Sequence, residues 1–243
     1  MDIIAADLLD FYATPLGQRS NEVLGQRIAN WWPDLSGQRI LTLGVGALLE
    51  PHLLPLDPLS ICHFVPARLA GVMTGTNTGR AVLTDDTLMP LDSESMDRVI
   101  LLHRLEHARR PDRTFREIWR VLKPGGKLIT IVPSAFGLWS RTPGTPFSKG
   151  RAFTGLRLAA TLSEQLFSLE RMRNALFFPP HSALKWARLP TGGVLIAEAQ
   201  KFGGPAHLLQ APPPALKQRK TAPETAALKA KQETRSRDNG RSQ

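Results

Sequence analysis

Between Pro90 and Pro133 the chain reads PLDSESMDRVILLHRLEHARRPDRTFREIWRVLKPGGKLITIVP, and this run constrains the fold more than any other. Asp97 closes a polar stretch, and Arg98–Leu102 is then a short, mostly apolar run of the kind a strand buried on both faces needs. Pro111 and Asp112 interrupt the chain. From Thr114 to Leu122, the residues Phe115, Ile118, Trp119 and Leu122 recur at i, i+3, i+4 and i+7, the apolar stripe of an amphipathic helix. Pro124, Gly125 and Gly126 end that helix, because proline cannot continue it and glycine accepts left-handed conformations. Leu128–Val132 is a second buried strand, rich in β-branched residues. Two apolar strands joined through a helix pair in parallel with a right-handed crossover.

The flanking sequence extends the pattern. Ile3–Tyr12 and Leu16–Trp32 carry apolar residues near helical spacing, and Pro33 and Gly37 close the second helix. Strands are expected at Gln38–Leu43, Ser60–Val65 and Arg80–Leu83. A helix is expected at 156–166, a strand beginning at Phe167–Leu169, and a last strand at Gly193–Ala199. That makes seven strands in one α/β domain over residues 37–202, preceded by N-terminal helices in 1–36. The first strand runs into Gly44-Val45-Gly46, and a glycine turn there lets backbone N–H groups approach a ligand at the carboxyl edge of the sheet.

Charge is distributed unevenly. The formal net charge is +10, and residues 203–243 contribute +5 of it, with eight Lys or Arg against three acids. That segment holds Pro212–Pro214, no aromatic residue and few large aliphatics, so it cannot bury enough surface to offset its chain entropy. It is expected to be a disordered basic tail, solubilising or in contact with nucleic acid or another acidic surface. Cys62 is the only cysteine, which excludes an internal disulfide and fits a reducing compartment. No apolar run approaches the roughly 20 residues that span a bilayer, and MDIIAADLLD lacks a basic secretory n-region. A cytoplasmic location is the expectation.

The order MPLDSESMDRVILLHRLEH, then a helix ending RVLKPGGKL, then a strand, resembles the second half of the class I S-adenosylmethionine-dependent methyltransferases of the type 11 branch. The resemblance extends more weakly from about Gly37 to about Gln200. It implies a Rossmann-like, doubly wound sheet of seven strands, mostly parallel with one reversed edge strand. It also implies methyl transfer from S-adenosylmethionine to an acceptor that the sequence does not identify. Carried over position by position, cofactor contacts fall on Gly44, Gly46, Asp85, Asp86, Leu102 and His103. Asp85 stands where the family's adenine-contacting acid stands, with Asp86 reachable after a shift of one residue. His103, where the fourth strand opens into the cleft, is the candidate proton acceptor. The chain departs from the family at Thr42, Leu48 and Val65, where the pattern has an acid, a third glycine and the ribose-binding acid. With both acids missing, a cofactor dissociation constant on the order of 10–1000 µM is expected. A fold retained for binding without turnover, associated with nucleic acid, is the alternative.

Three further patterns bear on function. His103-Arg104-Leu105-Glu106-His107 also matches H-x-x-E-H, an inverted zinc-protease pattern. That chemistry needs both rings on one helical face. His103 ends a strand, so the rings need not converge, and no metal is expected. Glu106 is expected to hold the turn, and His52, His63, His181 and His207 have no partner spacing. The loop 133–155 interleaves Trp139, Phe147 and Phe153 with Arg141, Lys149 and Arg151, suited either to a phosphate-bearing or aromatic substrate or to pinning the loop down. No Asn-Pro-Pro-Tyr run follows the fourth strand, which argues against exocyclic-amine targets.

Truncation tests the basic segment. A 1–202 protein is expected to melt at nearly the temperature of the full chain, because residues 203–243 lack apolar surface to pack. Its affinity for RNA, measured across a salt series, is expected to fall and to lose part of its salt dependence. A large loss of thermal stability would show that the tail docks on the domain.

Overall fold

The computed structural model of the protein describes residues 5–69, 81–180 and 191–202. Two helices open it, α1 (Ala5–Ala13) and α2 (Pro15–Trp31). Then come β1 (Arg39–Gly44), the one-turn α3 (Glu50–Leu53), β2 (Ser60–Val65), β3 (Ala81–Leu83) and β4 (Met96–Leu102). Helix α4 (Pro111–Val121), β5 (Leu122–Pro133), α5 (Gly155–Glu164), β6 (Phe167–Ala175) and β7 (Val194–Lys201) complete it. The strands form one seven-stranded sheet in the order β3-β2-β1-β4-β5-β7-β6. β1 to β5 pair in parallel, and β7 runs antiparallel to both β5 and β6. The expected reversal stands at that edge, the reversed strand being β7, one position in from β6.

Both faces of the sheet are covered, which is why its strands read as apolar runs and not as alternating ones. On one face Ile40, Ile61, Ile100, Leu102, Ile129 and Ile131 pack with Leu8, Leu24, Ile28 and Trp32 of the N-terminal helices. On the other, Leu41, Val99, Leu101, Leu128 and Val132 pack with Phe115, Ile118 and Val121 of α4 and with Leu158 and Leu162 of α5. Neighbouring residues along one strand thus enter different cores. Each fully buried large side chain contributes about 1.5–3 kcal/mol. Helices α1 and α2 are therefore built into the first core.

The local boundaries follow from chemistry. Pro111 opens α4 at its first turn, where a missing N–H costs nothing, with Asp112 beside it and Arg120 in the last turn. The expectation that Pro111 and Asp112 break the chain before a helix at 114 is corrected accordingly. After Val121 the backbone turns extended, and the Lys123–Gly126 segment is absorbed as an irregularity in the β4–β5 ladder. Gly125 takes φ +75° there. Thr14 caps α2, its Oγ1 accepting from the Gly17 N–H at 3.0 Å. Gly17 must be small, since a Cβ would stand 2.0 Å from the Phe11 carbonyl oxygen. The elbow between α1 and α2 is thereby closed tightly over the sheet.

The far end of α2 is tied to β7 through the buried Glu198. One carboxylate oxygen accepts from the Trp32 indole N–H at 2.6 Å, and the other accepts from the Arg171 guanidinium. Arg171 also donates to the Trp31 carbonyl at 2.8 Å. Among the described residues no helix is long and apolar enough to cross a membrane. The 203–243 segment, with its expected disorder and nucleic-acid contact, lies outside the described residues, as do His181 and His207.

Replacing Glu198 by Ala leaves a buried indole donor without its acceptor and the Arg171 charge without its counter-ion. A loss of about 3 kcal/mol is expected. That corresponds to a fall of roughly 6–12 °C in melting temperature for a chain of this size. Differential scanning calorimetry of Glu198→Ala against the parent reads it directly, and an unchanged melting point would show that α2 is not held by this contact.

Candidate active site

The carboxyl ends of β1, β2 and β4 meet where the glycine turn leaves the sheet. Val45 N–H donates to the Leu102 carbonyl at 3.0 Å, so the turn is stitched to the end of β4. Gly44 has φ +88°, and a Cβ there would stand 2.1 Å from that same carbonyl oxygen. Gly46 lies against Thr42, whose Cβ a Gly46 side chain would meet at 2.5 Å. Both glycines are thus required by the closeness of backbone and side chains within the fold. Leu102 itself is buried in the first core.

Thr42, two residues before Gly44, takes part in a buried polar relay. Its register partner on β2 is His63, so the two side chains project from one face of the sheet. Thr42 Oγ1 and His63 Nδ1 are 2.7 Å apart, and His63 Nε2 lies 3.3 Å from Glu50 Oε2. All three are buried. The reading of His63 as a residue without partners is corrected here: the spacing in sequence hid a contact that strand register creates. Val65, at the ribose-acid position, is 1 % exposed and belongs to the apolar core.

Asp85 and Asp86 separate sharply. Asp85 is exposed and accepts from the N–H and the hydroxyl of Thr87 at 2.9 and 2.8 Å. Those two hydrogen bonds hold its carboxyl below the usual range, so it stays anionic into more acidic solution than an ordinary aspartate. Asp86 is buried and clamped by the Arg104 guanidinium, with the Arg104 Nε–H donating at 2.6 Å and the Thr114 hydroxyl at 2.7 Å. It ties the β3–β4 loop to the turn after β4 and to α4, which leaves Asp85 as the accessible acid of the pair.

His103 is placed by strain. It has φ +51°, an uncommon conformation for a side-chain-bearing residue and one where histidine is enriched. This left-handed step turns β4 into the short Leu105–His107 helical turn. Arg104 thereby reaches Asp86 while the His103 ring enters the core under α1. The ring is fully buried and lies 4.6 Å, centroid to centroid, from Phe147. Nδ1 is 3.1 Å from Glu106 Oε1, and Nε2 is 2.8 Å from the Tyr12 hydroxyl. Burial, and then the Glu106 charge, push Tyr12 ionisation far up, so Tyr12 is a neutral donor. A carboxylate only accepts, so Nδ1 carries the proton and Nε2 accepts from Tyr12. The result is a Tyr12–His103–Glu106 relay whose lone pair points at α1.

Tyr12 and Glu106 as partners of His103 escaped the sequence reading, and so did the convergence of HRLEH. His103, Glu106 and His107 each bring a potential ligand atom within 4.8 Å of the others, although no helix face is shared. The statement that the two rings need not converge is corrected: a left-handed residue and one helical turn do what an i, i+4 spacing does on a helix. Chelation there would have to displace hydrogen bonds that His103 already makes on both nitrogens. Three aromatics of the 133–155 loop face inward, Trp139 and Phe147 fully buried and Phe153 1 % exposed, while Phe136 is exposed. They pin the loop, with Arg151 and Arg157 over the Phe153 ring and Lys149 paired to Asp7 of α1.

Comparison with known proteins agrees with this division of the chain. Residues 68–130 match the family model of a methyltransferase domain, a stretch holding Asp85, Asp86, Leu102 and His103 but not the glycine turn. The ubiquinone biosynthesis O-methyltransferase of Xanthomonas oryzae pv. oryzae is 32% identical over 116 residues, 43% of this chain and 48% of that one. The tRNA U34 carboxymethyltransferase of Desulfotalea psychrophila is 32% identical over 141 residues, 50% of this chain and 44% of that one. The matched region thus spans about half the length of these relatives. Among solved structures, an S-adenosylmethionine-dependent methyltransferase of Thermotoga maritima, a possible histamine N-methyltransferase, superposes with a TM-score of 0.61 at 18% identity. That superposition covers 81% of this chain and 95% of the other, and it speaks for the fold. The strand order with its reversed β7 is that of the class I methyltransferase fold, and residues 68–130 are similar to a methyltransferase domain.

Proposed function

We propose that the protein transfers a methyl group from S-adenosylmethionine to a small acceptor through an oxygen nucleophile. The observation that carries this is the His103–Glu106 pair at the carboxyl end of β4, inside the stretch that matches the methyltransferase domain. The residues fit the cofactor in part. The turn at Gly44 and Gly46 lies at the carboxyl edge of the sheet and the exposed Asp85 carboxylate suits an exocyclic amine, whereas Leu102 is buried in the first core. Val65 offers the ribose no acceptor. When bound, the cofactor supplies an activated methyl group, and in-line displacement asks mainly for orientation.

A hydroxyl acceptor must lose a proton as the new bond forms, and a neutral imidazole backed by a carboxylate is suited to take it. Glu106 fixes the tautomer that leaves His103 Nε2 as the acceptor, as a carboxylate does for a catalytic histidine elsewhere. Tyr12 occupies that lone pair in this structure, so access to it requires the α1 hydroxyl to give way. The O-methyltransferase relative is consistent with an oxygen acceptor. Contact of the 203–243 segment with nucleic acid or another acidic surface, and a cytoplasmic location, belong to the same proposal.

Calorimetric titration with S-adenosylmethionine and with its demethylated product tests cofactor binding. A dissociation constant of about 10–1000 µM is expected, tightening about tenfold in Val65→Asp if the ribose lies there. Absence of binding by either protein at millimolar ligand would favour a fold kept for binding without turnover.

Turnover tests the base. Once an acceptor is in hand, His103→Ala is expected to lower kcat by roughly a hundredfold to ten-thousandfold. Glu106→Gln should lower it less, and Tyr12→Phe should keep or raise it by freeing Nε2. Undiminished turnover in a well-folded His103→Ala protein would assign the histidine a purely structural role.

A further inference from the structure

At the α1–α2 elbow lies a cavity of about 560 Å³, within the usual size of a small-molecule site. Phe11, Leu16 and Arg19 line it from the helices, the 143–145 turn from the loop after β5, and Phe178 with Pro179 and Pro180 from the segment after β6. Its walls are held in place from behind. The Trp139 indole donates to the Phe178 carbonyl at 2.8 Å, and the Phe11 ring meets the Trp139 ring edge-on at 6.3 Å. The prolines limit backbone adjustment further. A site so prepared loses little on ordering when a ligand enters.

The polar groups of the cavity are few and unequal. The Thr14 hydroxyl is used within the α1–α2 elbow, and the Thr145 hydroxyl donates to the Trp139 carbonyl at 2.9 Å. Among the described residues, Arg19 is the only charged side chain on the lining. Its guanidinium carbon stands 4.4 Å from the centroid of the Phe178 ring, which leaves the planar fork of donors beside an aromatic face. A smaller cavity next to it shares Phe11 and Thr14 and carries Asp7, Asp10 and Lys149, with Lys149 paired to Asp7. One cation in an apolar cavity, with carboxylates next door, matches a single negative charge and disfavours a dianion.

We infer that this cavity binds a flat, ring-bearing monocarboxylate, its carboxylate on the Arg19 guanidinium and its ring against Phe178 and Phe11. The inference goes beyond methyl transfer and does not depend on the cofactor site. Should methyl transfer hold, a molecule of this class is the first acceptor to try, because Phe11 adjoins Tyr12, the partner of His103.

The probe is 2-naphthoate, compared with the neutral isostere 2-naphthamide, titrated calorimetrically into the full-length chain without cofactor. A dissociation constant of about 10–500 µM is expected for the acid, reasonable for its size. The amide should bind at least about tenfold more weakly, since it cannot form a bidentate charged pair. Arg19→Gln, at an exposed position, should erase the difference between the two probes, and Leu16→Trp should fill the cavity and weaken both. Thermal melts of each variant establish that the fold is kept. Equal binding of acid and amide by the parent would overturn the inference. So would retention of naphthoate affinity in Arg19→Gln, as general attraction to a basic chain would give, or no binding of naphthoate at 5 mM, on the order of ten times the expected constant. A separate titration with S-adenosylmethionine reports on the cofactor site, so failure of one leaves the other readable.

Discussion

A sheet covered on both faces has no water for the polar side chains its strands carry, so they pair inside the protein, the buried Thr130 hydroxyl of β5 excepted. In this molecule that constraint locates nearly everything of interest. Thr42 finds His63, and His63 finds Glu50. Asp86 finds Arg104 and Thr114, Glu198 finds Trp32 and Arg171, and His103 finds Tyr12 and Glu106. Each group joins separate elements. The first two and the His103 group fix the β3–β4 loop, the turn after β4 and α1 around the carboxyl edge of the sheet, and the Glu198 group holds the end of α2 near the strand starts. A half-satisfied version of any of them would cost more than an apolar pair of the same volume.

The conformation of His103 links this network to chemistry. Had β4 continued in extended geometry, residues 103 and 104 would still have faced opposite sides of the sheet, but without the turn that brings Glu106 back to Nδ1. The left-handed step at His103 makes both contacts available from five consecutive residues. Strained conformations of this kind persist where surrounding contacts over-determine them, and they cluster at functional sites. Here the clasp of Arg104 on Asp86 and the tilted contact of Phe147 with the imidazole supply that support.

The two halves of the molecule differ in how closely they resemble a methyltransferase domain. The domain match begins at residue 68, just beyond the positions where Thr42 and Val65 stand in place of acids. The interior near the glycine turn is held by a neutral hydroxyl, a histidine and a carboxylate, those of Thr42, His63 and Glu50. The half that carries Asp85 and His103 keeps the family pattern. The cavity lined by Arg19 lies on the side of the N-terminal helices.

Local sequence determined the strand–helix–strand unit and the seven strands, because burial on both faces leaves continuous apolar runs, but Pro124, Gly125 and Gly126, expected to end the helix, lie within β5, which begins at Leu122 and not at Leu128. It also determined that Gly44 would be a turn glycine and that His103 would stand at the mouth of β4. It did not determine that Pro111 opens α4, since a proline reads equally as a break or as a first-turn residue. Nor could it pair Thr42 with His63, or Tyr12 with His103, 91 residues apart. Those contacts depend on strand register and on the angle at which α1 meets the sheet. The separation of Asp85 from Asp86, one exposed and one clamped, was likewise decided by tertiary structure: two identical side chains adjacent in sequence differ only in what the fold places beside them.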